Sequence, residues 1–345
     1  MKQEQEKATD EVVEVGPNIL RMQLPMSHFT GLGHVNSYAL LDDRGAAVVD
    51  PGLPGPPTWN AIQDRLKKAG LAPRNIHTVI VTHSHPDHFG SAGKLAKEAG
   101  AELVTHSAFR TWWRNDPDCD EIHDVEPEDY SDEPPWANTP WGGTNFKPPL
   151  KRRLMFRLMR SGLMRNRYVA ANPTQRVKHG DVMKLAGREF FAVHTPGHTI
   201  DHLCLHDPEG GFLFSGDHVL PTITPHIAGV GGGRDPLKLF KDSLDRVAAL
   251  DNVQTVLPAH GHPFGDVRGR VDSIKAHHDE RCDKLREVSK SIGPTTVTEL
   301  SHHLFRKARW GGMAESETYA HLEHLRLMGS AEAHQENGKL IYSVE

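Results

Sequence analysis

Cysteine is scarce in this chain: 3 residues in 345. Cys119, Cys204 and Cys282 stand far apart with no Cys-x-x-Cys pair, which argues against a thiolate metal site or a disulfide framework and leaves each as a reduced packing thiol. No apolar run reaches the roughly 18 residues that a membrane span needs. Residues Met1 to Glu11 are charged and lack the apolar stretch of a secretory signal, so a cytoplasmic protein is the expectation. Charge of one sign is missing as well. With 40 basic and 45 acidic side chains the net charge is −5, and nothing in it calls for a polyanionic partner. The length suits one large domain or two.

Histidine, by contrast, is abundant, with 24 residues. Three of them fall in Thr82-His83-Ser84-His85-Pro86-Asp87-His88, together with a carboxylate. The apolar and β-branched run Thr78 to Thr82 predicts a strand leading in, and Ser91 to Ala99 predicts a helix leading out. So many metal-binding side chains on one strand-to-helix turn point to a metal site, because neutral imidazole is the commonest metal ligand.

Three later segments repeat the design of an apolar strand followed by a small-residue turn. Phe190 to Val193 leads to His194-Thr195-Pro196-Gly197-His198-Thr199. Phe212 to Phe214 leads to Ser215-Gly216-Asp217-His218, and Val253 to Val256 leads to Leu257-Pro258-Ala259-His260-Gly261. Strand ends are rigid platforms, and Gly or Pro turns let the backbone crowd an ion. Imidazole and carboxylate donors without thiolate favour zinc, with iron or manganese as alternatives.

Together these motifs resemble the metallo-β-lactamase superfamily in its glyoxalase II-like and lactamase-beta-2-like branches, over roughly residues 12–270 apart from an insert. The resemblance implies an α/β (α+β) fold, an αββα sandwich spanning residues 12–290. It implies that His83, His85 and His198 hold one divalent ion, that Asp87, His88 and His260 hold a second, and that Asp217 and a hydroxide bridge them. Asp50, in Val48-Val49-Asp50-Pro51-Gly52, resembles the buried carboxylate that supports the ligand loops. His194, His202 and His218 flank these positions as packing or supporting residues, while His28 and His34 flank a Gly31-Leu32-Gly33 turn that could border the opening.

The sequence changes texture inside this framework. Residues 115–133 hold 10 acidic side chains and no basic one, and 151–167 hold seven basic side chains at helical spacing and no acid. Trp112, Trp113, Trp136 and Trp141 lie in the same insert, which is taken as residues 107–174. It reads as a self-neutralising cap, as a lid in which Trp136 and Trp141 meet an anionic, partly apolar substrate, or as a surface for RNA or membrane. His226, downstream of Asp217, is a further substrate-contact candidate. The C-terminal stretch 291–345 reads helix, helix, hairpin, the order of a winged-helix-like module. From Ser291 it has five basic and seven acidic residues, which disfavours nucleic acid and suits dimerisation or a cap over the site.

The resulting expectation is a two-metal hydrolase of a small ester, thioester or lactone that uses a metal-bridging hydroxide, with Asp87 as proton relay. A single-strand endoribonuclease is the alternative.

Overall fold

The computed structural model describes residues 2–26, 31–110, 139–143, 150, 154 and 171–345. Cys119, His28, Trp136, the acidic stretch 115–133 and nearly all of the 151–167 stripe lie outside the described residues.

Seven strands lie side by side in sequence order in the first sheet: β1 (Val12–Gly16), β2 (Ile19–Pro25), β3 (His34–Asp42), β4 (Gly45–Val49), β5 (Ile76–Ile80), β6 (Glu102–His106) and β7 (Gln175–Val177). The first four form antiparallel pairs, and from β4 onward the pairs are parallel. The crossover from β4 to β5 is made by α1 (Pro56–Lys68), and that from β5 to β6 by α2 (Pro86–Phe89) with α3 (Ala92–Ala99). Strands β8 (Val182–Leu185), β9 (Arg188–His194), β10 (Leu203–Asp207), β11 (Phe212–Gly216) and β12 (Thr255–Pro258) form the second sheet, in the order β12-β11-β10-β9-β8.

Side-chain alternation explains why the two sheets pack face to face. Ala47 and Val49 of β4 join Leu203, Leu205, Phe212 and Phe214 in the core between the sheets. Their neighbours Ala46 and Val48 face outward against Trp59, Ile62 and Leu66 of α1. On the second sheet Cys204, Leu213 and Val256 face outward against α4 (Pro236–Ala248) and α5 (Val267–Ile292), through Phe240, Leu244, Val271 and Ile274. The result is four layers, αββα. Both outer helices of the second face start on aspartate caps, with Asp235 accepting from the Lys238 amide and Asp266 from that of Gly269.

One sequence expectation gives way here. Val177 to Leu185 reads as a single strand, yet it is cut by a turn in which the Lys178 amide donates to Asp181, and Gly180 adopts φ +88°. β7 closes the first sheet and β8 opens the second.

The C-terminal elements follow the expected helix, helix, hairpin order: β13 (Thr295–Thr296), α6 (Val297–Leu304), α7 (Gly312–Leu327), β14 (Ala331–Glu336) and β15 (Lys339–Val344). Their core includes Cys282, Leu285 and Val288 from the last turns of α5, and also Trp141. The Trp141 ring is buried against Tyr319 and its indole N–H donates to Glu315 at 3.0 Å, so its place is in this core.

A histidine pair ties α5 to α7. His321 Nδ1–H donates to the Glu317 carbonyl at 2.7 Å, which leaves its Nε2 to accept from His278 Nδ1–H at 3.0 Å. Burial, then the neighbouring imidazole, holds His278 well below the ordinary histidine range, and burial holds His321 at about 4. Neutral in the folded state and near 6.5 when unfolded, the pair supports stability above pH 6.5 and loses that support as pH falls toward 4. Replacing both residues by glutamine is expected to shrink the difference in Tm between pH 7 and pH 5 by roughly 2–4 °C, read by scanning calorimetry.

Candidate metal centre

The histidine motif and the three later turns all sit at the C-terminal ends of their strands, on one rim of the two sheets. This convergence draws together ligand atoms that are far apart in the chain. His83, His85, His198 and Asp217 offer atoms within 4.8 Å of one another, and so do Asp87, His88 and His260. The groups touch through Asp217, whose Oδ1 lies 3.2 Å from His260 Nε2 and whose Oδ2 lies 3.6 Å from the Nε2 atoms of His88 and His198. His83, His88, His198, Asp217 and His260 are buried, whereas His85 and Asp87 are half-buried.

Each buried imidazole is held from behind. His83 Nδ1 meets the Thr82 hydroxyl at 3.0 Å. His88 Nδ1–H donates to Asp50 Oδ2 at 2.8 Å, His198 Nδ1–H to the His226 carbonyl at 2.8 Å, and His260 Nδ1–H to the His34 carbonyl at 2.6 Å. In every case Nε2 is left aimed inward. His83 Nε2 and His198 Nε2 approach His85 Nδ1 at 3.0 and 3.1 Å, and the Nε2 atoms of His88 and His260 and Oδ1 of Asp217 make no aligned hydrogen bond. Buried polar atoms that converge without partners are costly unless a cation accepts their lone pairs, and rear-tied imidazoles are the usual build of a metal site. The donor set therefore fits a metal.

The supporting residues come from far away in the chain. Asp50 takes φ +50°, a backbone conformation that aspartate visits uncommonly, and so brings its carboxylate under the motif. It accepts from the Thr82 amide at 2.8 Å and the Thr82 hydroxyl at 2.7 Å besides His88. His202 accepts from the Asp217 amide at 3.1 Å, and a Cβ at Gly216 would lie 2.6 Å from that ring, so glycine is required there. His194 stacks on His106 at 3.8 Å, and His218 packs edge-on to Phe240.

Three further supports lack a local signature. Asn36 Nδ2 donates to the carbonyls of Pro258 and Gly261, both at 2.8 Å, and grips the His260 turn on both sides. Glu4, in the charged N-terminal stretch, is buried and accepts from the Thr222 amide at 2.7 Å, the Ile223 amide at 3.0 Å and the Thr222 hydroxyl, a short way past Asp217. Glu317 of α7 pairs with His226 Nδ1 at 3.0 Å and Arg281 at 2.6 Å. The His226 side chain is therefore engaged by the C-terminal module while its carbonyl holds His198.

Within the cluster, imidazole protons and carboxylate charges hold each other in place. Burial opposes charge on His260 and His88, yet Asp217 and the other nearby carboxylates raise His260 to about 10 and push His88 well up. Burial works against Asp87 too, but His88 and His260 hold it at about 2, and the same imidazoles hold Asp217 far down. His85 falls to about 3 through burial and the neighbouring His198.

The pattern of the metallo-beta-lactamase superfamily matches residues 30–260. A hydroxyacylglutathione hydrolase of Erythrobacter litoralis is 32% identical over 163 residues, 42% of this chain, and the match spans 61% of that protein's length. An atrochrysone carboxyl ACP thioesterase of Aspergillus terreus is 32% identical over 84% of this chain and 72% of its own. Among solved structures, a metallo-beta-lactamase family protein from Thermus thermophilus superposes with a TM-score of 0.72 at 26% identity, covering 96% of this chain and all of that one. With two-thirds of the residues inside the family pattern and the whole fold shared, the chain belongs to the metallo-beta-lactamase superfamily.

Proposed function

We propose that this protein is a hydrolase of a small thioester that holds two divalent metal ions, zinc first among the candidates. The observation that carries the reading is the set of imidazoles tied at one nitrogen and aimed inward with the other, in two groups that meet at Asp217. His83, His85 and His198 would hold one ion, Asp87, His88 and His260 the other, with Asp217 between them. Bound there, two such ions would supply hydroxide at neutral pH and stabilise a developing oxyanion. The 32% identity to a thioesterase over 84% of the chain favours a thioester over an ester or lactone.

The chain's own groups do the rest. In the reaction the C–S bond breaks, the acyl carbon gains the oxygen of water, and the thiol leaves with a proton. Asp87 is the carboxylate placed to pass that proton, since it is half-buried at the cluster edge and 3.5 Å from His260 Nε2. His198 keeps its aim through the His226 carbonyl, and Glu317 steadies His226 from the C-terminal module.

The decisive measurement is hydrolysis of a thioester panel by protein reconstituted to two ions per chain, with metal counted by elemental analysis. Turnover is expected, and Asp87→Ala should lose most of it even at full occupancy. Inert thioesters alongside cleavage of single-stranded RNA that falls steeply with salt would replace this reading with the ribonuclease one.

Two more outcomes follow from the geometry. Asp50→Asn tolerates the same backbone angle but cannot serve His88 and Thr82 as a carboxylate, so metal affinity should fall about 10–100-fold in a chelator competition. Because the neighbouring carboxylates raise His260 to about 10 and push His88 upward, and each binds an ion only after losing its Nε2 proton, metal uptake at pH 7 should release about one proton or more per chain. Titration calorimetry at pH 7 in buffers of different ionisation enthalpy reads this directly.

A further inference from the structure

The loop between α6 and α7, Phe305-Arg306-Lys307-Ala308-Arg309-Trp310, has no role in the site so far described. It connects through intermediate residues to the supports on both flanks of the cluster. At its start the Phe305 ring lies 4.4 Å from the Arg281 guanidinium, which pairs with Glu317, and Glu317 with His226, whose carbonyl holds His198. At its end the Arg309 guanidinium lies against Gly31, where a Cβ would sit 3.9 Å from Nη1. Gly31 precedes by three residues His34, whose carbonyl holds His260. The loop thus reaches from the His198 side of the cluster to the His260 side.

It is also pre-shaped. The Arg309 amide donates to the Arg306 carbonyl at 2.7 Å and the Trp310 indole to the Phe305 carbonyl at 2.9 Å, while the Trp310 ring stacks on His302 at 3.7 Å. Arg306, Lys307 and Arg309 are all exposed, and none has an ion-pair partner among the described residues. Three exposed cations on a short ordered turn match a phosphate better than a single carboxylate, because guanidinium forks engage phosphate oxygens in pairs. Three extended residues reach at most about 10 Å, so Gly31, beside Arg309, lies no farther than that along the chain from the His34 carbonyl that supports His260. A phosphate held there belongs at the far end of a long leaving group.

We propose that the 305–310 loop is an anion-binding rim that takes the phosphate of a phosphorylated pantetheine arm, making the substrates thioesters of that arm. The proposal builds on the thioester reading above, but its test does not need catalysis. Binding of coenzyme A, 4′-phosphopantetheine and pantetheine to the metal-loaded full chain is measured by calorimetry, for the wild type and for the triple variant Arg306→Ala, Lys307→Ala, Arg309→Ala.

In the wild type both phosphorylated thiols should bind at least about tenfold more tightly than pantetheine. That ratio should fall toward one in the triple variant and in high salt. Tighter binding of coenzyme A than of phosphopantetheine points to a free coenzyme thioester, and equal binding to an arm borne on a carrier protein. Equal affinity for pantetheine and its phosphorylated forms in the wild type, or a ratio unchanged in the variant, overturns the proposal. Phosphate-dependent binding with no thioester hydrolysed would sink the hydrolase reading and leave the rim standing.

Discussion

One buried carboxylate organises the rim on which the candidate metal-binding cluster stands. Asp50 ends β4 in a left-handed backbone conformation and accepts three hydrogen bonds, two from Thr82 and one from His88. The two parallel strands β4 and β5 are thereby locked together at the point where the chain leaves the sheet, and the His83 to His88 turn is built on that lock. A neutral amide could not accept all three bonds with both oxygens, which is why a charged group is kept in so buried a place. The cost of its burial is offset by hydrogen bonds that strengthen in the low dielectric around it.

The same logic extends outward through backbone carbonyls. His198 and His260 are steadied by the carbonyls of His226 and His34, and those loops are in turn held by side chains from the ends of the chain. Glu4 fastens residues 222–223, and the Glu6 carbonyl meets His34 Nδ1 at 2.8 Å. Glu317, almost at the other end, fastens His226. A side-chain cluster built on rigid strand ends still depends on loop carbonyls, and a carbonyl keeps its direction only where its loop cannot slide. The terminal segments supply that constraint.

These facts also mark what the sequence could reveal. The seven ligand candidates announce themselves because each follows an apolar strand within a few residues, so local pattern and spatial role coincide. The αββα layers were legible only through the family resemblance that these motifs carry, since strands such as β4 and β11 are apolar on both faces and show no alternation of their own. Asn36 and Glu4 were not legible. Each acts through contacts with residues more than 200 positions away, and neither sits in a pattern that departs from an ordinary strand or a charged tail. The division of residues 177–185 between two sheets was hidden because β7 and β8 are short and the turn joining them holds one glycine among polar residues. Trp141 carried the composition of a lid residue, yet Glu315 and Tyr319 supply the partners that make it a core residue of the C-terminal module.

The electrostatics explain why so much support is concentrated on one rim. Imidazole nitrogens held 3.0–3.1 Å apart and two carboxylates in a common desolvated space resist assembly by themselves. Protons on His88 and His260 balance Asp217 and Asp87, while His85 and His83 stay neutral and desolvated beside them. Asp50, His202, Asn36 and the terminal clamps therefore hold a cluster that would otherwise relax apart. A cation entering such a preassembled cluster does not have to supply the ordering of its ligands, so more of its coordination energy appears as affinity and as stabilisation of the folded chain. The strain resides in the ligands and the restraint in the surrounding loops, and loosening any one of those loops weakens the site without removing a ligand.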